Sequence, residues 1–146
     1  MTIELKAIIT LSTILVLLAV AIIFRLLPKR LKKNYYQARW MELQAFCKDK
    51  NTWPLALKEA DDLLGNALKR RKFKGKSMGE RMVSAGDIFT ENDSVWFAHN
   101  IVKKINARRS SKLRERDVKL ALIGFRQALR DIGALPDDNK KDPSQL

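Results

Sequence analysis

Residues 7–24 read AIITLSTILVLLAVAIIF, eighteen positions without a charge in which only Thr10, Ser12 and Thr13 are polar. Arg25 interrupts the run, and Leu26-Leu27 extend it to twenty-one residues. A helix of that length rises about 31 Å, close to the thickness of a bilayer's hydrocarbon core. The run lacks the polar stripe that a helix buried in a soluble core presents to solvent. A signal peptide would follow a shorter apolar stretch with small residues, whereas Ala19-Val20-Ala21 lies inside this run and Arg25-Leu26-Leu27-Pro28 comes after it. Residues 7–27 are therefore predicted to form an uncleaved transmembrane anchor. Pro28 lacks a helix donor and disfavours helix at the residue before it, so it should kink or end the anchor.

Working outward, residues 1–6 hold only Glu4 and Lys6, whereas Arg25, Lys29, Arg30, Lys32 and Lys33 place five cations in nine residues behind the run. Cationic flanks stay in the cytoplasm. The expected topology is residues 1–6 outside, a single pass through the inner membrane, a basic linker over 28–33 and the remaining chain in the cytoplasm. The five flanking cations must lie within a Debye length of the headgroups, and an anionic inner leaflet attracts each by roughly 1 kcal/mol.

Beyond the linker the apolar residues recur with helical period. Tyr36, Trp40, Leu43 and Cys47 share one face of a helix expected over 34–48. Pro54 can open a second helix, with Leu57, Ala60, Leu64, Ala67 and Leu68 as its stripe and cations at its end. Ser77 with Glu80 forms a capping-box pattern for a short third helix, limited by Gly86. Thr90 or Asn92 can cap a fourth, anchored by Trp96 or Phe97, Ile101 and Ile105. A fifth is expected from Leu113 to Ile132, carrying Val118, Leu122, Phe125, Leu129 and Ile132, with Gly133 as its stop. No stretch alternates like a half-buried strand. The fold class is all-α: a transmembrane helix followed, over 34–135, by a small antiparallel bundle of four to five helices. Residues 136–146 lack core residues and are expected to be disordered.

The net charge of +13 over 146 residues is unevenly placed. Residues 25–135 carry 26 cations against 12 acids. Besides the juxtamembrane group there are two clusters. Lys69, Arg70, Arg71, Lys72, Lys74 and Lys76 occupy six of eight positions, and Lys103, Lys104, Arg108, Arg109, Lys112, Arg114 and Arg116 surround the loop before the last helix. Such clusters suit an anionic partner, whether lipid, nucleic acid or acidic protein. Phe73, amid the first of them, can insert into lipid, stack on a base or pack. Clusters converging away from the anchor would favour nucleic acid or an acidic protein. Clusters pointing back would serve the membrane.

Several chemistries lack their residues. Cys47 is the lone cysteine, so no internal disulfide forms, and with His99 the lone histidine no structural zinc site can be assembled. Calcium-loop and phosphate-loop patterns are absent, and no cofactor is expected. His99 is the only candidate base near neutral pH, and it reads as a structural or surface residue on an amphipathic helix. Asp61 and Asp62 are adjacent on a helix and point apart, so they make a poor carboxylate pair. Cys47 reads as a core residue. Enzymatic activity is not expected.

Trp53-Pro54-Leu55-Ala56, Ala60-Asp61 before Leu63-Leu64, Phe73-Lys74-Gly75-Lys76 leading to Met78-Gly79-Glu80-Arg81, and Phe125-Arg126-Gln127-Ala128-Leu129 with Gly133 form a pattern of packing, loop and cap positions. In these residues the stretch 34–135 resembles the soluble part of single-pass bacterial membrane proteins built on a helical domain similar to the HEPN group. The resemblance implies a helical bundle and the prospect of a homodimer. Many HEPN domains are ribonucleases using an Arg, four to six residues, then a His. Here no Arg stands four to six residues before His99, and no His follows Arg108 at that spacing. The resemblance thus implies the fold without the nuclease.

Two functional readings follow. One is a non-enzymatic interaction or scaffold module, tethered at the cytoplasmic face, that recruits an acidic protein. The alternative is a tethered RNA- or DNA-binding module using the clusters at 69–76 and 103–116.

Overall fold

A computed structural model describes residues 2–27, 30–108 and 112–137. Six α-helices and two short 3-10 turns make up the regular structure of the described residues, with no strand among them. Pro28, Lys29, Arg109 and the tail from residue 138 lie outside that set, and with them the expectations of a proline kink and of a disordered tail.

Helix α1 runs Ile3–Leu26, starting ahead of the uncharged run because Ile3 and Leu5 extend its apolar character and Glu4 suits a helix N-terminus. It is long and apolar enough to cross a membrane: an 18-residue window has mean hydropathy 2.9, and none of it is buried. Thr10 and Thr13 donate their hydroxyls back to the carbonyls of Ala7 (2.9 Å) and Ile9 (2.8 Å), so neither needs a partner outside the helix. Leu27, the residue before proline, is extended, and α1 makes no packing contact with the other helices.

Helix α2 (Lys33–Ala45) buries Tyr36, Trp40 and Leu43 as the periodicity demands. It stops short of Lys48, tightening into a 3-10 turn over Phe46–Lys48. The Trp53 indole donates to the Cys47 carbonyl (2.9 Å) and the Thr52 hydroxyl to that of Phe46 (2.5 Å). These bonds serve carbonyls at the helix end, and they leave Cys47 half-buried rather than in the core. Helix α3 (Trp53–Arg70) carries Pro54 in its first turn and buries the expected stripe completely. Lys72, at φ 63°, closes it in a Schellman arrangement, with Phe73 N–H bonded to the Leu68 carbonyl (3.2 Å) and Lys72 N–H to that of Lys69 (3.1 Å). Helix α4 (Met78–Ser84) opens on half of the expected capping box: Ser77 Oγ accepts from Glu80 N–H (3.2 Å), while Glu80 Oε2 accepts from Lys76 N–H (2.6 Å), one residue ahead of the cap.

Helix α5 (Asn92–Asn106) differs most from expectation. Neither Thr90 nor Asn92 caps it; Thr90 instead binds the Asp131 carboxylate (3.0 Å). Its buried face is Val95, Ala98, His99 and Val102, while Trp96, Ile101 and Ile105 are half-buried and Phe97 is exposed. The face is rotated because His99 is drawn inward by a carboxylate that helix-by-helix periodicity does not reveal. Helix α6 (Glu115–Asp131) buries Val118, Phe125 and Leu129, followed by Ile132, with Leu122 half-buried. Gly133, at φ 82°, ends it.

Side-chain bonds fix the helix directions. Tyr36 Oη donates to Asn66 (2.9 Å) and Arg39 approaches Glu59 (3.5 Å), so α3 returns antiparallel to α2. Arg71 donates to the Ile132 carbonyl (2.6 Å), bringing the ends of α3 and α6 together. Thr90 and Asp131 join the start of α5 to the end of α6. Helices α2 and α5 therefore run away from the end of the bundle where α2 begins, the α1 end, and α3 and α6 run back toward it. Helices α3, α5 and α6 pack mutually, whereas the α2 backbone lies close to α3 and stands off from α6. The α5–α6 crossing needs Gly124: a Cβ there would stand 2.6 Å from the Ser94 carbonyl oxygen.

Because α1 contributes nothing to the core, a fragment beginning near Lys33 should fold alone. Denaturation followed by helicity should give one cooperative transition, and a broad, non-cooperative loss of helicity would show that the anchor is needed.

Candidate functional site

The directions just described sort the cations into two poles. At the α1 end stand Lys32 and Lys33, ahead of or opening α2, beside Lys69 and Arg70 at the close of α3 and Lys72 just after it. Arg70 is near enough to Tyr36 to offset part of the burial that pushes the phenol's pKa up. Lys74 and Lys76 lead from this pole into α4, and the stretch is held in place: the Lys74 carbonyl accepts from Ser84 (2.6 Å) and Phe73 packs against the core. Of the three uses open to Phe73, packing is the one observed. Arg71 is a different matter from its neighbours. It is half-buried with its guanidinium committed to the end of α6, so it is a structural cap here rather than an exposed cation.

At the opposite pole stand Lys103, Lys104 and Arg108 at the close of α5, and Lys112, Arg114 and Arg116 at the start of α6, all exposed. The two distal clusters therefore do not converge on one face. Sequence reasoning missed two further members of the far pole. Lys48 and Lys50, from the turn between α2 and α3, line one hollow with Lys112, Arg114 and the half-buried Trp53. The far pole is assembled from chain segments more than sixty positions apart, which no local charge run signals.

Sequence reasoning also missed a buried pair. His99 Nδ1 lies 2.8 Å from Asp61 Oδ1, with both residues less than one-tenth exposed and the Trp96 ring set edgewise to the imidazole. Asp62, next along α3, faces outward with Glu59, Arg39 and Asn66. Burial, with Asp61 and Glu59 adding to it, holds the Asp62 carboxyl above the usual range. A His–Asp pair can orient an imidazole for proton transfer, but neither member lines the hollows of the surface described here. The pair instead ties α3 to α5. No group of three or more His, Cys, Asp or Glu that could hold a metal occurs among the described residues.

No protein-family model, no curated protein and no solved structure matches this chain.

Proposed function

We propose that this chain is a non-enzymatic interaction module tethered by α1 to the cytoplasmic face of the inner membrane. The division of cations between two poles, one of them at the anchor's end, carries this reading. The near pole, with Arg25, Lys29, Arg30, Lys32 and Lys33, rests against anionic headgroups, while the far pole and the flank of the bundle face the cytoplasm and receive a partner. The five-cation flank behind α1 supports this orientation. A reporter fused after Leu146 should therefore be active in the cytoplasm, and activity on the other side would overturn the topology.

The resemblance to the HEPN group supports a bundle that binds rather than cleaves, since His99, its only histidine, is buried against Asp61. The nucleic-acid alternative draws on one observation, the far-pole hollow where Trp53 lies among Lys48, Lys50, Lys112 and Arg114.

Vesicle binding tests the near pole. Changing Lys69 and Lys72 to Gln should weaken binding of the soluble bundle to phosphatidylserine vesicles by about 2 kcal/mol, roughly thirtyfold, at about 1 kcal/mol per cation. The same bundle offered RNA at physiological salt separates the alternatives. A preference for RNA, with the salt slope falling by about 0.7–0.9 per cation when Lys112 and Arg114 become Gln, would promote the nucleic-acid reading. Crosslinking in intact membranes, followed by purification, asks whether protein or RNA is recovered. Recovery of neither would overturn the interaction reading.

A further inference from the structure

Building on the interaction-module reading, we propose that the groove between α2 and α6 is the seat of an acidic amphipathic helix supplied by a partner protein. Helices α2 and α6 each pack on α3, while their own backbones stand farther apart. The space left between them is a hollow of about 400 Å³. Trp40 and Cys47 line it from the α2 side, and Leu122 and Ile123 from α6. Ile123 is 63% exposed and Leu122 half-buried, while the α2 side offers the buried Trp40 and the half-buried Cys47. An exposed Ile123 beside these partly covered apolar neighbours marks a surface that gains from being covered.

The lining positions on α6 run from Lys119 to Arg126, about 10 Å or two helical turns. That length accepts an incoming helix through side chains at i, i+3 or i+4, and i+7. Charge specifies its flanks. Lys119 and Arg126 stand on the α6 side of the groove, and Lys48, next in sequence to Cys47, lines the separate hollow that holds Lys112. The one acid lining either hollow, Glu115, is paired with Lys119 (2.9 Å), which holds its carboxyl below the usual range. Of the acids of α2 and α3, Glu42, Glu59 and Asp62 gather around Arg39 and none of them lines the groove, with Arg39 paired to Glu42 (2.9 Å) and approaching Glu59 (3.5 Å), while Asp61 is buried against His99. The groove wall also holds an unmet donor: Trp40 Nε1 is buried without an acceptor.

A second copy of this chain would set cation against cation, since residues 25–135 hold 26 cations and 12 acids. Lipid fits poorly as well, because Trp40 lies seven residues into α2, about 10 Å from its start. An acidic helix with one apolar face satisfies both the lips and the floor.

The test uses the full chain in phosphatidylcholine nanodiscs and three labelled peptides of about five turns. One carries Leu at i, i+3, i+4 and i+7 with Glu on its flanks, one is a scramble of the same composition, and one has Lys in place of Glu. Binding is read by anisotropy, and occupancy of the groove by the alkylation rate of Cys47, whose thiol burial already pushes upward in pKa. The acidic amphipathic peptide alone should bind and slow the alkylation severalfold. Ile123→Glu, at an exposed position that does not threaten folding, should weaken it by at least about tenfold. Equal binding of the scramble would reduce the contact to charge and overturn the groove. So would binding that ignores Ile123→Glu and leaves Cys47 reactive, while the interaction reading itself would survive through the far pole. Protection of Cys47 without peptide would assign the groove to a second copy if it rises with protein concentration. It would assign the groove to lipid if it appears only in phosphatidylserine discs. Either result overturns the proposal, as does failure of every peptide to bind. Membrane crosslinking judges the interaction reading independently of all these outcomes.

Discussion

Phe125→Ala should cost the bundle roughly 3–5 kcal/mol, the range for truncating a fully buried aromatic side chain. Phe125 is inaccessible to solvent, on the α6 face that packs against both α3 and α5. Truncation removes its contacts with the core and leaves a cavity that rigid neighbours fill only in part. Close by, Gly124 holds α5 and α6 too near for the helices to slide into that space. A small domain is stable by about 5–15 kcal/mol, so the variant should lose a large share of its margin. Urea unfolding of the fragment starting near Lys33 gives the number directly. An unchanged m-value with a lowered midpoint would place the effect in the folded state. A loss below about 1 kcal/mol would show that the packing around α6 is misassigned.

That face of α6 was legible because its period is long and uninterrupted: Val118, Phe125, Leu129 and Ile132 fall where a 3.6-residue repeat puts them. The stripe of α3, the Ser77 cap of α4 and the apolar α1 were legible for the same local reason. What the sequence hides is every relation between distant segments. The face of α5 is turned by a carboxylate thirty-eight positions earlier, so Trp96 and Ile105 lose the centre of the core to Ala98 and His99. Arg71 looks like its neighbours in a basic run and differs from them only because α6 ends beside it. The far pole combines Lys48 and Lys50 with Lys112 and Arg114, a set visible only once α2 is known to run away from the α1 end. The groove exists because the α2 backbone lies against α3 and stands off from α6, a relation that no hydrophobic pattern in either helix states.

The pair behind the rotation of α5 leads to the second large effect. His99→Leu should destabilise the bundle by about 3 kcal/mol, because it strands the Asp61 carboxylate without the hydrogen bond it has at 8% exposure. The leucine restores apolar volume, so the loss comes from the stranded oxygen rather than from a cavity. Asp61→Asn keeps an acceptor 2.8 Å from Nδ1 in the same geometry and should cost only about 1 kcal/mol. The double replacement of Asp61 and His99 by Leu removes both polar groups and should recover much of the loss, since apolar substitutes for a buried pair are often tolerated. A double-mutant cycle of Asp61→Leu, His99→Leu and the double variant on urea unfolding measures the coupling, and a value of at least about 1.5 kcal/mol is expected for groups in direct contact. Additive losses would show that the two side chains do not depend on each other, and the inward turn of α5 would then need another cause.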